Sequence, residues 1–345
     1  MLVNKKVEHI VEKILTISIA AYNVEQFLKD TLNSLVALEI LDDIEVLIVD
    51  DGSKDCTAEI GREFTQQYPD SFFLISKTNG GYGSTINAAI DAASGKYFKT
   101  LDGDDWFDTQ NFVKFVKALK AIDADLVVTP FTMIHESTGE TEEVSCHQTF
   151  GGKTVTFDQL PMELYYKIKM HSVTYRTALL QENHIQIGEH CFYTDIEYIA
   201  FPIVYVDYIC FLDYSVYQYR VGLQGQSVSA EGFRKHYKDH LKVIDRVLKF
   251  YESHTNKGIS KEKDAYLFRI LNALVYMQYQ IFIMIGNTNQ IKSELMEFDR
   301  KLKNENFTLY ESVQGRKIAW LRKSNFQLFG LIAFYSKLRD KIDHD

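Results

Sequence analysis

Between Leu15 and Leu126, short β-branched runs alternate with amphipathic helical stretches. This alternation constrains the fold more than any other feature, because adjacent parallel strands need a crossover, usually helical, between them. The predicted strands are Leu15 to Ala20, Glu45 to Val49, Phe72 to Ser76, Tyr97 to Leu101 and Leu126 to Thr129. These runs fit a parallel sheet covered by helices on both faces. Among the intervening stretches, Leu28, Leu32 and Leu35 share one helical face. Phe112, Phe115, Val116, Leu119 and Ile122 share another, with Thr109 placed to cap that helix.

In such sheets, ligands bind beyond the carboxyl ends of the strands. Four strands here end in polar, acidic or glycine-rich groups: Ala21-Tyr22-Asn23, Asp50-Asp51-Gly52-Ser53, Asn79-Gly80-Gly81-Tyr82-Gly83 and Asp102-Gly103-Asp104-Asp105. The last places three carboxylates within four residues directly after a buried strand. Like charges held so close repel one another unless a cation neutralises them, so a divalent-metal site is predicted at this strand end. An isolated Asp-x-Asp is more often an acidic surface turn. Four such loops on one rim favour a nucleotide-type site instead. The glycine-rich loop lacks the Gly-Lys-Ser/Thr of a P-loop, and it follows the third strand rather than the first, which excludes a dinucleotide fingerprint.

At 345 residues the chain has room for a large α/β domain and a smaller appendage. With 46% hydrophobic residues the composition is that of an ordered globular protein. A net charge of −9 argues against broad nucleic-acid binding, which needs a basic footprint. Cys56, Cys146, Cys191 and Cys210 form no zinc spacing and read as reduced thiols of a cytoplasmic protein. The expected division is an N-terminal amphipathic helix over residues 1–14, a catalytic domain over 15–230 and an α-helical domain over 231–345. The apolar stretch Ile270 to Ile285 is interrupted by Asn272, Gln278 and Gln280 and reads as a buried helix rather than a membrane span.

In order and spacing, Thr16 to Asn23, Val46 to Ser53 and Gly95 to Trp106 resemble the family-2 glycosyltransferases. The resemblance implies a GT-A fold, Rossmann-like with a mainly parallel sheet, and an inverting, metal-dependent reaction on a UDP-sugar. It implies donor-binding roles for Ala20, Tyr22, Asp51, Asn79, Gly80, Asp102 and Gly103, with Tyr22 against the base and Asp51 accepting the uracil N3–H. Asp104 would hold Mn²⁺ or Mg²⁺ across the diphosphate, with Asp105 supporting. Two departures stand out: Ala21 where Pro is common, and Ile86-Asn87 where Arg-Asn is common.

Transfer also needs a base to deprotonate the acceptor hydroxyl. In His190 to Glu197 the family's usual Glu-Asp pair becomes Thr194-Asp195, and the resemblance makes Asp195 the catalytic base. Glu197 is a weaker candidate, and His171 is assigned to the acceptor side. Tyr217 to Ser229 resembles a segment of some bacterial members, in which Arg220, Gln226 and Ser227 would cover the diphosphate or sugar. His236 and His240, one turn apart, read as a solvated helix face. From Val313 to Asp345 there are seven Lys/Arg against three Asp around an apolar run. That segment suits either a homo-oligomer contact or a peripheral contact with the inner face of a membrane.

The expected function is transfer of a hexose or N-acetylhexosamine from a UDP-sugar to a glycan, glycolipid or glycoprotein acceptor. The alternatives are a glycan-binding or scaffold protein on the same fold, and a nucleotidyltransferase. The last would want a basic glycine-rich loop after the first strand.

Overall fold

The computed structural model describes residues 12–145, 150–223, 229–286 and 288–342. They form two units: the chain up to His190 joined by Tyr205–Leu223, and Cys191–Val204 joined by the described residues beyond 228. Most of the helix expected over residues 1–14 lies outside the described residues.

The strands of the first unit, in chain order, are β1 (Leu15–Ala21), β2 (Ile44–Asp50), β3 (Phe72–Ser76), β4 (Tyr97–Asp102), β5 (Trp106–Phe107) and β6 (Leu126–Val128). They continue as β7 (Phe131–His135), β8 (Thr141–Val144), β9 (Thr154–Thr156), β10 (Val173–Arg176), β11 (Tyr208–Phe211) and β12 (Tyr217–Val221). Its helices are α1 (Leu28–Leu35), α2 (Thr57–Gln67), α3 (Tyr82–Ala92), α4 (Thr109–Leu119) and α5 (Thr177–Glu182). All five predicted strands form.

One sheet runs β3-β2-β1-β4-β10-β6-β11-β9, and a smaller one runs β5-β12-β7-β8. The β3-β2-β1-β4 part is parallel, whereas β10 pairs antiparallel with both neighbours, so the sheet is mixed. Chain order reverses beside β1, which opens a crevice at the carboxyl ends of β1 and β4. Register brings those ends level, since Ala21 pairs with Asp50 and Ala20 with Asp102. Beneath the rim, Ile17, Ile19, Val46, Ile48 and Leu101 form a fully buried core with Leu28, Leu32 and Leu35 of α1 and Phe112, Phe115 and Val116 of α4. The α4 cap differs from expectation: Asp108 accepts from the Asn111 backbone N–H, while the Thr109 hydroxyl donates to Ser34 O. Asp108 is the better cap because its extended backbone precedes the first helical residue.

The second unit is helical, with α6 (Asp195–Ala200), α7 (Ala230–Thr255), α8 (Lys261–Ile285), α9 (Asn289–Glu305), α10 (Phe307–Ser312), α11 (Arg316–Lys323) and α12 (Phe329–Ile342). By length and composition α8 could cross a membrane, yet Tyr266, Leu267, Leu271, Val275, Tyr279 and Phe282 are buried along it. It is the core helix of this unit.

Candidate functional site

The acidic loop after β4 is held from four directions. Gly103 N donates to Ala20 O at 3.1 Å, and the Thr31 hydroxyl donates to Gly103 O at 3.0 Å and Asp105 O at 2.6 Å. A Cβ on Gly103 would come within 2.9 Å of Ala20 O and 3.0 Å of Val24 Cγ2, so a side chain would force the two strand ends apart. Tyr217 Oη accepts from Asp102 N at 3.1 Å and donates to Asp105 Oδ2 at 2.8 Å. Arg220 N donates to the other Asp105 oxygen at 2.7 Å. Asp105 is thus a buried anchor of the loop.

The Arg220 guanidinium packs on the rings of Phe27 and Trp106. Its Nε donates to Asp104 O at 3.0 Å and its Nη1 to Glu136 Oε1 at 2.8 Å. Sequence reasoning assigned Arg220 to the donor, whereas these bonds fix the acidic loop. Gln226 and Ser227 lie outside the described residues.

Burial raises the carboxyls of both Asp104 and Asp105 above the usual range, and the charges of Asp102 and Asp104 push Asp105 further. Such a loop gains from a bound cation. The donor atoms of Asp102, Asp105 and His171 lie within 4.8 Å of one another. Asp104, which the sequence made the metal holder, is not part of that group but is its chain neighbour. Carboxylate oxygens suit a hard cation such as Mn²⁺ or Mg²⁺, so the residues present fit the implied metal.

His171 therefore sits with the acidic loop. Its ring stacks on Tyr219, with centroids 4.3 Å apart, and meets the ring of Tyr217 edge-on at 4.8 Å. Burial, with the charges of Lys99 and Lys169, lowers its pKa to about 3, so the imidazole is neutral. Its Nδ1 has no hydrogen-bond partner among the described residues. Lys99 lies fully buried close by, donating to His171 O at 2.8 Å and Val173 O at 3.2 Å, and burial lowers its pKa to about 7.

The ends of β1 to β3 are stitched together. Asn23, at a left-handed φ of 54°, donates its N–H to Ser53 Oγ and accepts from Lys54 N, while Glu25 accepts from Cys56 N. Tyr22 projects beside this zipper, 47% exposed, free to meet a flat ligand. Asp51 is buried. Its Oδ1 accepts from Lys77 Nζ at 2.8 Å and Gly80 N at 2.9 Å, and its Oδ2 from Gly81 N at 2.8 Å. Asp51 thus shapes the glycine-rich loop, and Oδ2 keeps room for one further donor. Asn79 lines a groove of ≈ 690 Å³ with Asp50, Ser53, Lys54 and Lys77. Ile86, where the family commonly has Arg, is buried. Asn87 instead holds the Ile187 backbone, accepting at 2.8 Å and donating at 2.9 Å.

In the second unit, Asp195 opens α6. The Thr194 hydroxyl before it is buried without a hydrogen-bond partner among the described residues. Tyr193, at φ 66°, stacks on Phe233 and meets His240 edge-on. Glu197 is fully buried and receives Arg246 Nε at 2.8 Å and Nη2 at 3.0 Å, which makes it a structural ion pair. His240 is likewise buried, 2.8 Å from Gln278, and His236 stacks on Phe192, so this helix face is covered rather than solvated. The helical spacing was legible; the partners, more than thirty residues away in sequence, were not.

Three comparisons bear on this geometry. Residues 16–184 match the family model described as Glycosyl transferase family 2. The chain is 31% identical over 132 residues to EpsH of Bacillus subtilis, a protein assigned to the glycosyltransferases, covering 38% of each chain. It is 29% identical over 130 residues to the glycosyltransferase GlyA of Streptococcus pneumoniae, covering 38% of this chain and 18% of that one. The matched segments thus span well under two thirds of these relatives. Among solved structures, S. aureus TarS 1–349 in complex with UDP-GlcNAc has a similar fold, with a TM-score of 0.62 at 18% identity over 94% of this chain and 92% of that one.

Proposed function

We propose, from the premise that residues 16–184 form a family-2 glycosyltransferase domain, that the chain transfers a hexose or N-acetylhexosamine from a UDP-sugar to an acceptor hydroxyl on a glycan, glycolipid or glycoprotein. The observation that carries this reading is the acidic loop at the β1/β4 crevice, clamped by Thr31, Tyr217 and Arg220 and flanked by the stitched loops of Tyr22 and Asp51. A nucleotide-sugar has two demands that these features meet. Its base needs a flat face and an acceptor for N3–H, which Tyr22 and Asp51 Oδ2 supply. Its diphosphate needs a countercharge at a fixed place: Asp102, grouped with Asp105 and His171, would hold Mn²⁺ or Mg²⁺ there together with Asp104, the residue that the family resemblance assigns to the metal. When bound, that cation neutralises charge on the departing diphosphate.

Asp195 acts as the base, taking the proton of the acceptor hydroxyl as it attacks the anomeric carbon from the face opposite UDP. The bond to the acceptor oxygen forms, the bond to the diphosphate oxygen breaks, and configuration inverts. The UDP-GlcNAc bound by the similarly folded TarS supports a UDP-sugar donor. The test is UDP release with Mn²⁺ present, donors screened singly. Asp195→Ala should lower turnover by about 10³-fold or more with little change in UDP affinity. Turnover unchanged in that variant would sink the base assignment.

A further inference from the structure

The first two turns of helix α12 are apolar on two opposite sides. Phe329, Ile332 and Ala333 are buried, and through them the helix packs on α8. On the other side Leu331 is 53% exposed, Phe334 59% and Tyr335 62%, with Leu328 just before the helix at 40%. In α11, Trp320 is 56% exposed, and Lys317 Nζ ties that helix to α12 through Ser336 Oγ at 2.9 Å. A helix apolar all round is normally covered on all sides, and a concentration of bulky exposed apolar side chains marks a contact surface.

Charge and side-chain type say what covers it. Residues 313–345 carry seven Lys/Arg against three Asp, in a chain whose net charge is −9. Arg316 and Lys323 are exposed at the two ends of α11, whereas Arg322 turns inward to Asp299 and Tyr279. A two-fold contact between copies through this face would set one net-positive segment against another. An anionic lipid surface meets the same segment with opposite charge. Trp and Tyr favour the membrane interface, because their rings enter the acyl boundary while the N–H or O–H stays with the headgroups.

We propose that the face formed by Trp320, Leu331, Phe334 and Tyr335 lies on an anionic lipid surface, with Arg316 and Lys323 meeting the headgroups. This holds whether or not the chain transfers sugar, and its test needs no turnover. The full chain is floated with phosphatidylcholine vesicles with and without phosphatidylglycerol. It should float with the anionic vesicles only and be released by added salt. Both W320S/F334S/Y335S and R316E/K323E should bind roughly tenfold more weakly or worse, with thermal unfolding unchanged because all five side chains are exposed. Equal flotation with neutral vesicles, or full binding by R316E/K323E, overturns the electrostatic half of the proposal. No flotation, whether the chain is monomeric or forms a concentration-dependent dimer lost in W320S/F334S/Y335S, overturns the whole.

Discussion

The helical unit and the acidic loop of the sheet unit compensate buried carboxylates in opposite ways, although Asp51, elsewhere in the sheet unit, pairs with Lys77 at 2.8 Å. In the helical unit, buried carboxylates meet arginines: Glu197 takes two bonds from Arg246, and Asp299 takes one from Arg322 and another from Tyr279 Oη. In the sheet unit, Asp105 is held by a phenol and a backbone N–H, both neutral, beside Asp102 and Asp104. Lys99, fully buried, bonds to two carbonyls and makes no salt bridge among the described residues. Folding alone favours the first arrangement, since buried charge is costly unless paired. The second is favourable where a ligand completes the neutralisation, which marks the acidic loop as a candidate site.

The largest expected effect is at the loop itself. Asp104→Ala should lower UDP release by about 10³-fold or more while leaving the unfolding midpoint little changed, because relief of its burial and of its repulsion with Asp105 offsets the lost attraction to Arg220. Midpoint and turnover falling together would instead make Asp104 a structural residue. Arg246→Ala should do the converse. It strands buried Glu197 and costs about 3 kcal/mol by denaturant titration, an order of magnitude for one broken pair, with residual turnover confined to the folded fraction.

Lys99 sharpens the comparison through pH. Its folded pKa, about 7, lies below the ordinary 10.5, so between these values the unfolded chain binds more protons and stability rises with pH. Below about pH 7 both states are charged and the cost of burial is fully present. Relative to Lys99→Met, the wild type should therefore gain ~2–4 kcal/mol from pH 7 to 10. A pH-independent difference would mean that Lys99 is charged in the fold across that range. The smallest expected effect is Tyr217→Phe, which removes one donor to Asp105 and keeps the ring. It should raise the Mn²⁺ concentration for half-maximal turnover by roughly fivefold at constant saturating rate, about 1 kcal/mol.

Much of this was legible in the sequence. The five strands could be read because buried parallel strands require continuous β-branched runs, and the rim followed because ligand loops succeed strands in order. What could not be read was long-range. Tyr217 lies 112 residues from the Asp105 it anchors. Arg220 was assigned to the donor from the resemblance of Tyr217 to Ser229 to a segment of some bacterial members, and its bonds to Glu136 and Asp104 O could not be read locally. His171 was assigned to the acceptor side, and nothing local ties it to the aspartates; the antiparallel insertion of β10 beside β4 brings it to Asp102 and Asp105. The aromatic run at Tyr217 was the one available hint, since a tyrosine within an apolar strand needs a partner for its hydroxyl.

The central claim is that the acidic loop completes itself with a cation shared with the donor diphosphate. Calorimetric titration of UDP with and without Mn²⁺, on the wild type and on Asp104→Ala, tests it most directly. Mn²⁺ should tighten UDP binding at least about tenfold in the wild type, ~1.4 kcal/mol, and have little effect in the variant. UDP binding of equal strength with and without Mn²⁺ in the wild type would contradict it.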